Sequence, residues 1–187
     1  MAKKYNPLEP QVSKRTYIII ISVLVVLLAL IFILAPSNKT KIYNEYKAFA
    51  TDDFTNEHPY YEITYKNGLF KKGLKSVLDK EEVVLIFVSN SRCQKCVTHI
   101  GAFEKYYNQL NVDEQINKIY YYNSAKSAKD FKNFQDNVYG VSTESPQMLL
   151  YVNGELKKRF IFDDNTSSQS INRSVKDFYL DVLDIIK

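Results

Sequence analysis

The residues best suited to chemistry are Cys93 and Cys96, the only two cysteines in the 187-residue chain. Two thiols separated by two residues can form and break a disulfide with each other, so the pair points to thiol–disulfide exchange. Two cysteines are too few for a disulfide scaffold, and their close spacing argues against two unrelated buried thiols. We therefore take this pair as the candidate centre of the chain's chemistry.

The sequence around the pair predicts a buried strand followed by an amphipathic helix. Residues 83–88 form a continuous run of apolar β-formers, as expected for a central strand that is covered on both faces. After a short polar turn, apolar residues recur at helical spacing and define one stripe: Cys96, Ile100, Phe103, Tyr107 and Leu110. The strand thus delivers the first cysteine to the start of the helix and places the second on its apolar face.

These positions predict different roles for the two sulfurs. Cys93 lies where the helix begins, so unpaired backbone N–H groups and the helix dipole favour its thiolate, and Arg92 and Lys95 add positive charge nearby. We expect Cys93 to be exposed and to act as the attacking nucleophile. Cys96 should be buried and less acidic, and should resolve the mixed disulfide that forms with a substrate.

A second feature is the apolar segment 17–35, in which Ser22 is the only internal polar residue. As a helix it would be about 28 Å long, close to the hydrocarbon thickness of a bilayer, and we predict a membrane span. A cleaved signal peptide is the alternative. The apolar run is longer than a usual signal core, and no small-x-small site ends it, since Ile33 stands two residues before Ala35 and Pro36 follows directly.

The charges on either side of this segment predict its orientation. Four cationic residues precede it and two follow it: Lys3, Lys4, Lys14 and Arg15, then Lys39 and Lys41. By the positive-inside rule the N-terminus is cytoplasmic and the rest of the chain lies outside the cell membrane, where a dithiol can be kept oxidised. We therefore predict a cytoplasmic tail (1–16), a transmembrane helix (17–35), a linker with a juxtamembrane helix (36–59) and an extracytoplasmic domain (60–187).

Composition limits the classes of partner. The net charge of the chain is +4, and +3 of it lies in the first sixteen residues. The remainder therefore lacks the basic surface that nucleic acid requires, and its tyrosines are not interleaved with Lys or Arg on one predicted face. We predict no nucleic-acid partner. A hydrophobic content of 45% with 25% charged residues is typical of a folded domain.

From residue 60 onward the pattern predicts the order β-α-β-α-β-α-β-β-α. Two strand-like runs flank Asn153-Gly154, a strong hairpin signal, and Ser145-Pro146 directly precedes the first of them. With Cys-x-x-Cys at the start of the second helix, residues 60–187 resemble the thioredoxin superfamily. The N-terminal span further resembles the membrane-anchored extracytoplasmic thioredoxin-like proteins of bacteria, among them the bacteriocin transport accessory proteins.

The resemblance implies an α/β domain in which helices flank a central mixed sheet. It implies a protein thiol–disulfide oxidoreductase that needs no cofactor and no metal, with a redox disulfide between Cys93 and Cys96. It also implies that Pro146 follows a cis peptide bond, and that Ser145 lies beside the sulfurs with a backbone edge for an extended substrate. The expected partners are protein thiol or disulfide substrates and a protein redox partner.

Two departures from thioredoxin itself bear on the direction of the reaction. The reductase motif Trp-Cys-Gly-Pro-Cys is replaced by Arg92-Cys93-Gln94-Lys95-Cys96, and Phe87 stands where thioredoxin carries a buried acid. In the family that carboxylate is thought to help deprotonate the second cysteine during reduction of substrates. The basic dipeptide and the missing acid favour an oxidase or isomerase over an efficient general reductase.

Two alternatives compete with this interpretation. Cys93, Cys96 and His99 are spaced like part of a zinc site, but structural zinc takes four ligands and the other histidine, His58, is far away in the predicted fold. The second alternative is a non-catalytic thioredoxin-like binding or assembly subunit of an export, secretion or conjugation system. In such a subunit the dithiol would be dispensable, so replacement of Cys93 distinguishes the two.

Overall fold

The computed structural model describes residues 13–50, 54–68, 72–162 and 168–187. Backbone contacts divide the chain after Pro36 into two compact units. The first unit contains the helix α1 (Lys14–Leu34), which is capped by the Ser13 hydroxyl accepting from the backbone N–H of Thr16 at 3.2 Å. The helix begins three residues before the predicted span, and residues 1–12 of the predicted tail lie outside the described residues.

Helix α1 has the length and composition of a segment that can enter a membrane. Its window Lys14–Ile31 has a mean hydropathy of 2.3, and none of that window is buried. The one internal polar side chain, Ser22, donates to the Ile18 carbonyl at 2.8 Å, which satisfies its hydroxyl within the helix. A membrane span and an N-terminal signal sequence both fit these properties.

The second unit, Ser37–Lys187, is an α/β domain. Its described strands are β1 (Tyr60–Ile63), β2 (Val83–Ser89), β3 (Ile119–Asn123), β4 (Gln147–Val152) and β5 (Glu155–Ile161). Its described helices are α2 (Asn38–Tyr46), α3 (Leu74–Leu78), α4 (Gln94–Gln109), α5 (Ala128–Asn137) and α6 (Ser168–Ile186), with a short 3-10 helix at Val112–Glu114.

The strands form one sheet in the order β1-β3-β2-β4-β5. Strands β1, β3 and β2 are parallel, whereas β4 is antiparallel to β2 and β5 is antiparallel to β4. Two β-α-β crossovers followed by a hairpin and a last helix, in this strand order, make the thioredoxin-like fold. The predicted fold class is therefore confirmed.

The central strand β2 explains how the core is divided between the two faces of the sheet. Leu85 and Phe87 point into a cluster that includes α4 and α6, while Val84, Ile86 and Val88 point into a cluster that includes α3 and α5. Side chains alternate between faces along a strand, so a strand covered on both sides must be apolar at every position. This is the reason for the continuous apolar run in the sequence.

The predicted hairpin at Asn153-Gly154 is also confirmed. Both residues have positive φ, 53° and 77°, and they connect β4 to β5 directly, with Val152 paired to Glu155. A two-residue turn with two positive φ values matches the right-handed twist of the flanking strands. The turn sets the pairing of Val152 with Glu155 and of Tyr151 with Leu156, beyond which the register shifts between Leu150 and Tyr151.

The juxtamembrane helix differs from its prediction in extent and in the side chains that it buries. The spacing of Ile42, Tyr46, Phe49 and Ala50 predicts a helix over residues 41–53, whereas α2 begins at Asn38 and ends at Tyr46. The sequence leaves open whether this helix packs on the domain. Ile42 and Tyr46 are buried, whereas Phe49 is 66% exposed, and residues 51–53 of the predicted helix lie outside the described residues. Phe49 and Ala50 both donate their N–H to the Tyr46 carbonyl, and this tight turn directs Ala50 to the core instead.

Candidate active site

Helix α4 places the first cysteine at its N-cap. The backbone of Cys93 is extended, with φ −88° and ψ 116°, and its Sγ accepts from the backbone N–H of Cys96 at 3.1 Å. The sulfur thus occupies the position where a capping side chain satisfies one of the free N–H groups of the first turn. An anionic sulfur at this position is stabilised by that donor and by the helix dipole.

The two cysteines form a disulfide across this first turn, with a Cα–Cα separation of 5.1 Å. Cys96, in the first turn of α4, is fully buried in the core cluster that α4 and α6 share, while Cys93 is partly exposed. Only the sulfur of Cys93 is therefore open to an incoming thiol or disulfide. The attacking role of Cys93 and the resolving role of Cys96 stay predictions.

The surroundings of Cys96 are apolar. Phe87 of β2 is fully buried in the same cluster, and its ring lies 4.8 Å from that of Phe103 and 5.3 Å from that of Tyr60. The strand position at which thioredoxin carries a buried acid is thus occupied here by an aromatic side chain that packs among other aromatic side chains. Strand β2 therefore contributes an aromatic side chain to this cluster and no carboxylate.

Ser145 and Pro146 lie directly beside the first cysteine. The peptide bond between them is cis, and the carbonyl oxygen of Ser145 is 3.4 Å from the Cys93 sulfur. In the disulfide this sulfur carries no proton, so the approach is a van der Waals contact. Ser145 is partly exposed and Pro146 is buried.

The loop that leads to Ser145 is held by a side chain that the sequence did not single out. Gln147, fully buried at the start of β4, accepts from the N–H of Ser142 at 3.0 Å. Its amide nitrogen donates to the carbonyls of Ser142 and Glu144 at 2.9 and 2.7 Å. In the sequence, a glutamine immediately after a Ser-Pro pair only weakly indicates this role, because its hydrogen-bond partners can be identified only once the path of the loop is known.

Two further polar side chains next to the site, Asn90 and Ser124, were also missed. Asn90 follows β2 and Ser124 follows β3, and the Asn90 side-chain amide donates to the Ser124 hydroxyl at 2.9 Å. The Ser124 hydroxyl lies 3.3 Å from the hydroxyl of Ser145. Because parallel strands end at the same edge of a sheet, the predicted strand order could have brought these two residues together.

The other predicted residues occupy the following places. Arg92 is exposed in the turn before Cys93, and Lys95 is partly exposed in the first turn of α4, so both charged side chains reach the solvent. His99 stacks on Phe162, with ring centroids 5.3 Å apart, and burial lowers its pKa. His58 lies before β1 and stacks on Phe54. Within the described ranges, no group of three or more His, Cys, Asp or Glu residues is placed to hold a metal ion.

Comparison with known proteins gives structural similarity without sequence similarity. No protein-family model and no curated protein matches the chain. A cysteine-to-serine mutant of thioredoxin from Entamoeba histolytica is 21% identical, with a TM-score of 0.40 over 58% of this chain and 89% of its own. A mutant thioredoxin from Halobacterium salinarum is 16% identical, with a TM-score of 0.37 over 65% of this chain and 93% of its own. The zinc-bound form of human ERp44 is 12% identical, with a TM-score of 0.43 over 65% of this chain and 30% of its own. The fold assignment rests on the strand order and pairing described above.

Proposed function

We propose that this protein carries out thiol–disulfide exchange on protein substrates through Cys93 and Cys96. The observation that carries the proposal is the disulfide across the first turn of α4, with one sulfur partly exposed beside Ser145 and the other buried. A structural disulfide has no need of an exposed sulfur at a helix N-terminus. That position is the one that makes a cysteine reactive.

The reaction follows from the two positions. In the reducing direction the Cys93 thiolate attacks a substrate disulfide, so that a Cys93–substrate S–S bond forms and the second substrate sulfur leaves as a thiolate. The Cys96 thiolate then attacks the Cys93 sulfur, which closes the Cys93–Cys96 bond and releases the other substrate thiolate. Two electrons pass from the protein to the substrate, and the oxidising direction is the reverse of these steps. The Cys96 N–H and Arg92 and Lys95 favour the anionic form of Cys93.

The test uses the matched variants Cys93→Ser and Cys96→Ser with a disulfide-containing protein substrate. Cys96→Ser should accumulate a mixed disulfide with the substrate, because the resolving sulfur is missing, and Cys93→Ser should accumulate none. Non-reducing electrophoresis of the trapped species measures both. A Cys93→Ser variant that retains the exchange rate of the natural protein would refute the enzymatic function and leave the binding or assembly role.

The proposed direction is oxidation or isomerisation. Two features support it. One is the aromatic Phe87 in the core cluster that holds Cys96, at the position of the family's buried acid. The other is the stabilisation of a Cys93 thiolate by the start of α4, which favours the reduced protein. A dithiol whose reduced form is stabilised is a stronger oxidant. Equilibration with glutathione gives the reduction potential: a value nearer −120 mV than about −270 mV supports the proposal, and one near −270 mV contradicts it.

We further propose that α1 anchors the protein in the cell membrane, with the domain outside the cytoplasm. Support comes from the apolar character of α1 and from the excess of cationic residues before it. Because the chain has only two cysteines, a membrane-impermeant maleimide applied to reduced intact cells reports on this directly. Labelling of intact cells supports an outward domain, and labelling only after permeabilisation contradicts it.

A further inference from the structure

Three loops meet at the first cysteine, and one hydrogen-bond chain connects them. The loops follow β2 at Asn90, follow β3 at Ser124, and precede β4 at Ser145. All three residues are partly exposed, and their side chains are linked in series, with distances of 2.9 Å and 3.3 Å. The series is local to the site and is made of side chains that do not react.

Asn90 holds the turn that delivers the cysteine. Its Oδ1 accepts from the N–H of Arg92 at 3.0 Å, and its main-chain carbonyl accepts from the N–H of Cys93 at 3.3 Å. A main-chain N–H can donate only to the oxygen of the Asn90 side-chain amide. The oxygen of this amide therefore faces Arg92, and its nitrogen faces Ser124. One side chain therefore fixes the turn before Cys93 and the orientation of its own donor.

Ser124 transmits this order to the loop before β4. Its N–H donates to the carbonyl of Ser89 at 3.0 Å, which fixes its backbone on the end of β2. Its hydroxyl accepts from Asn90 and lies 3.3 Å from the Ser145 hydroxyl, a bond in which either oxygen can donate. If Ser145 donates, the Ser124 proton goes to the Ser89 carbonyl at 3.5 Å, so the link between Ser124 and Ser145 exists in both arrangements. Ser145 in turn places its carbonyl oxygen 3.4 Å from the Cys93 sulfur, so the chain of contacts closes on the cysteine from which it began.

We propose that Ser124 is a positioning residue that holds the Ser145 main chain beside Cys93, and thereby selects an extended polypeptide as the partner in exchange. This inference rests on the proposed function. An extended segment next to a substrate cysteine can pair with the Ser145 main chain only if that edge is held at a fixed distance from the sulfur. A small disulfide has no segment to pair, so its reaction depends on the sulfur alone.

The test compares two disulfides with the full-length protein in its reduced form. One is an unstructured peptide of about ten residues with a single mixed disulfide, long enough to pair in extended form, and the other is bis(2-hydroxyethyl) disulfide. Because a nearby carbonyl oxygen disfavours a thiolate, rates are measured across pH and compared at the plateau where Cys93 is fully ionised. The ratio of the two plateau rates then reports on recognition of the peptide.

Ser124→Ala should lower the plateau rate for the peptide by about threefold to tenfold, the effect of one lost hydrogen bond, and leave that for the small disulfide within about twofold. Ser91→Ala is the serine-to-alanine control, because Ser91 lies in the turn between β2 and Cys93 and takes part in none of these bonds. Ser124→Thr keeps the hydroxyl and should retain the peptide rate. The double variant of Ser124→Ala with Ser145→Ala should be no slower than the slower single variant, because both remove the same link.

Three results would overturn the inference: a Ser124→Ala variant that slows both disulfides equally, one that slows neither, or a Ser124→Thr variant as slow as Ser124→Ala. These are distinct from failure of the proposed function. In that case the natural protein would react with neither disulfide, or the reaction would persist in Cys93→Ser. The two substrates and the cysteine variant thus separate the two claims.

Discussion

The hydroxyl of Tyr46 offers a direct test of how helix α2 is held to the sheet of the domain. Tyr46 is fully buried, and its hydroxyl lies 2.9 Å from the hydroxyl of Ser89 at the end of β2 and 2.9 Å from that of Tyr121 on β3. Both partners are buried, and no other described hydrogen bond meets either side-chain oxygen. The change Tyr46→Phe removes one oxygen and leaves the ring in place.

The cost can be estimated from these contacts. Two net hydrogen bonds contribute about 0.5–1.5 kcal/mol each, and the buried hydroxyls left without a partner add to the loss. We expect Tyr46→Phe to lower the free energy of unfolding by about 2–4 kcal/mol. Tyr121→Phe should cost less, about 1 kcal/mol, because the bond between Tyr46 and Ser89 survives.

Urea denaturation at pH 7 measures these differences. Tyr43→Phe is the matched control: it lies on the same helix, is partly exposed, and its hydroxyl takes part in none of the described hydrogen bonds. It should change the free energy of unfolding by no more than about 0.5 kcal/mol. If Tyr46→Phe costs no more than Tyr43→Phe, the buried network does not hold α2 to the sheet and the reasoning is wrong.

The same side chain predicts a loss of stability in alkali. Burial raises the pKa of Tyr46 to about 12, while its hydrogen bonds to Ser89 and Tyr121 act in the opposite direction. Between pH 10 and 12 the unfolded chain has released this proton and the folded chain has kept it, so stability falls as the pH rises. At about 1.4 kcal/mol per pH unit the loss is about 3 kcal/mol over this window, and Tyr46→Phe should lack that share.

Two other predictions concern the segment that precedes β1. Burial lowers the pKa of His58 to about 4. Its neutral ring donates to the carbonyl of Lys39 at 2.9 Å and accepts from the N–H of Tyr60 at 3.2 Å. The stability that His58 contributes is therefore complete above pH 6.5 and is lost as the pH falls toward 4. At pH 7 the free energy of unfolding of His58→Gln should be about 1–2 kcal/mol lower than that of the natural protein. Between pH 6.5 and 4 the variant should lose up to about 3 kcal/mol less of this free energy than the natural protein does. Urea midpoints that depend equally on pH in the two proteins would contradict this. The buried carboxylate of Glu104 accepts from the N–H and hydroxyl of Thr55 at 3.0 and 2.5 Å. Glu104→Gln should therefore lower the free energy of unfolding, measured by thermal unfolding, by about 1–3 kcal/mol. A decrease below about 0.5 kcal/mol would show that this pair does not hold the segment to α4.

The parts of the fold that were predictable are those with local or periodic signals. The apolar run of β2, the stripe of α4 and the Asn153-Gly154 turn each depend on residues close in sequence, and the structure bears out all three. The end of α2 was not predictable in this way. Ala50 replaces Phe49 as the inward residue because the last turn of the helix tightens on the Tyr46 carbonyl, and apolar spacing does not report that change.

The site divides along the same line. The spacing of Cys93 and Cys96 and the Ser145-Pro146 pair stand out in the sequence, and the structure brings them together. Asn90 and Ser124 do not stand out, because single polar residues after strands are common and their partners lie 34 and 21 residues away. Such residues acquire meaning only when the strand order is known.

The contacts of the Cys93 sulfur act in opposite directions on the stability of its thiolate, and this balance bears on the proposed direction of exchange. The N–H of Cys96 at 3.1 Å and the start of α4 stabilise a thiolate, whereas the Ser145 carbonyl at 3.4 Å opposes it. Phe87, which belongs to the same core cluster as the buried Cys96, offers neither a charge nor a proton acceptor. In the proposed oxidising direction, every contact that strengthens the Cys93 anion stabilises the reduced protein and makes the disulfide a better oxidant.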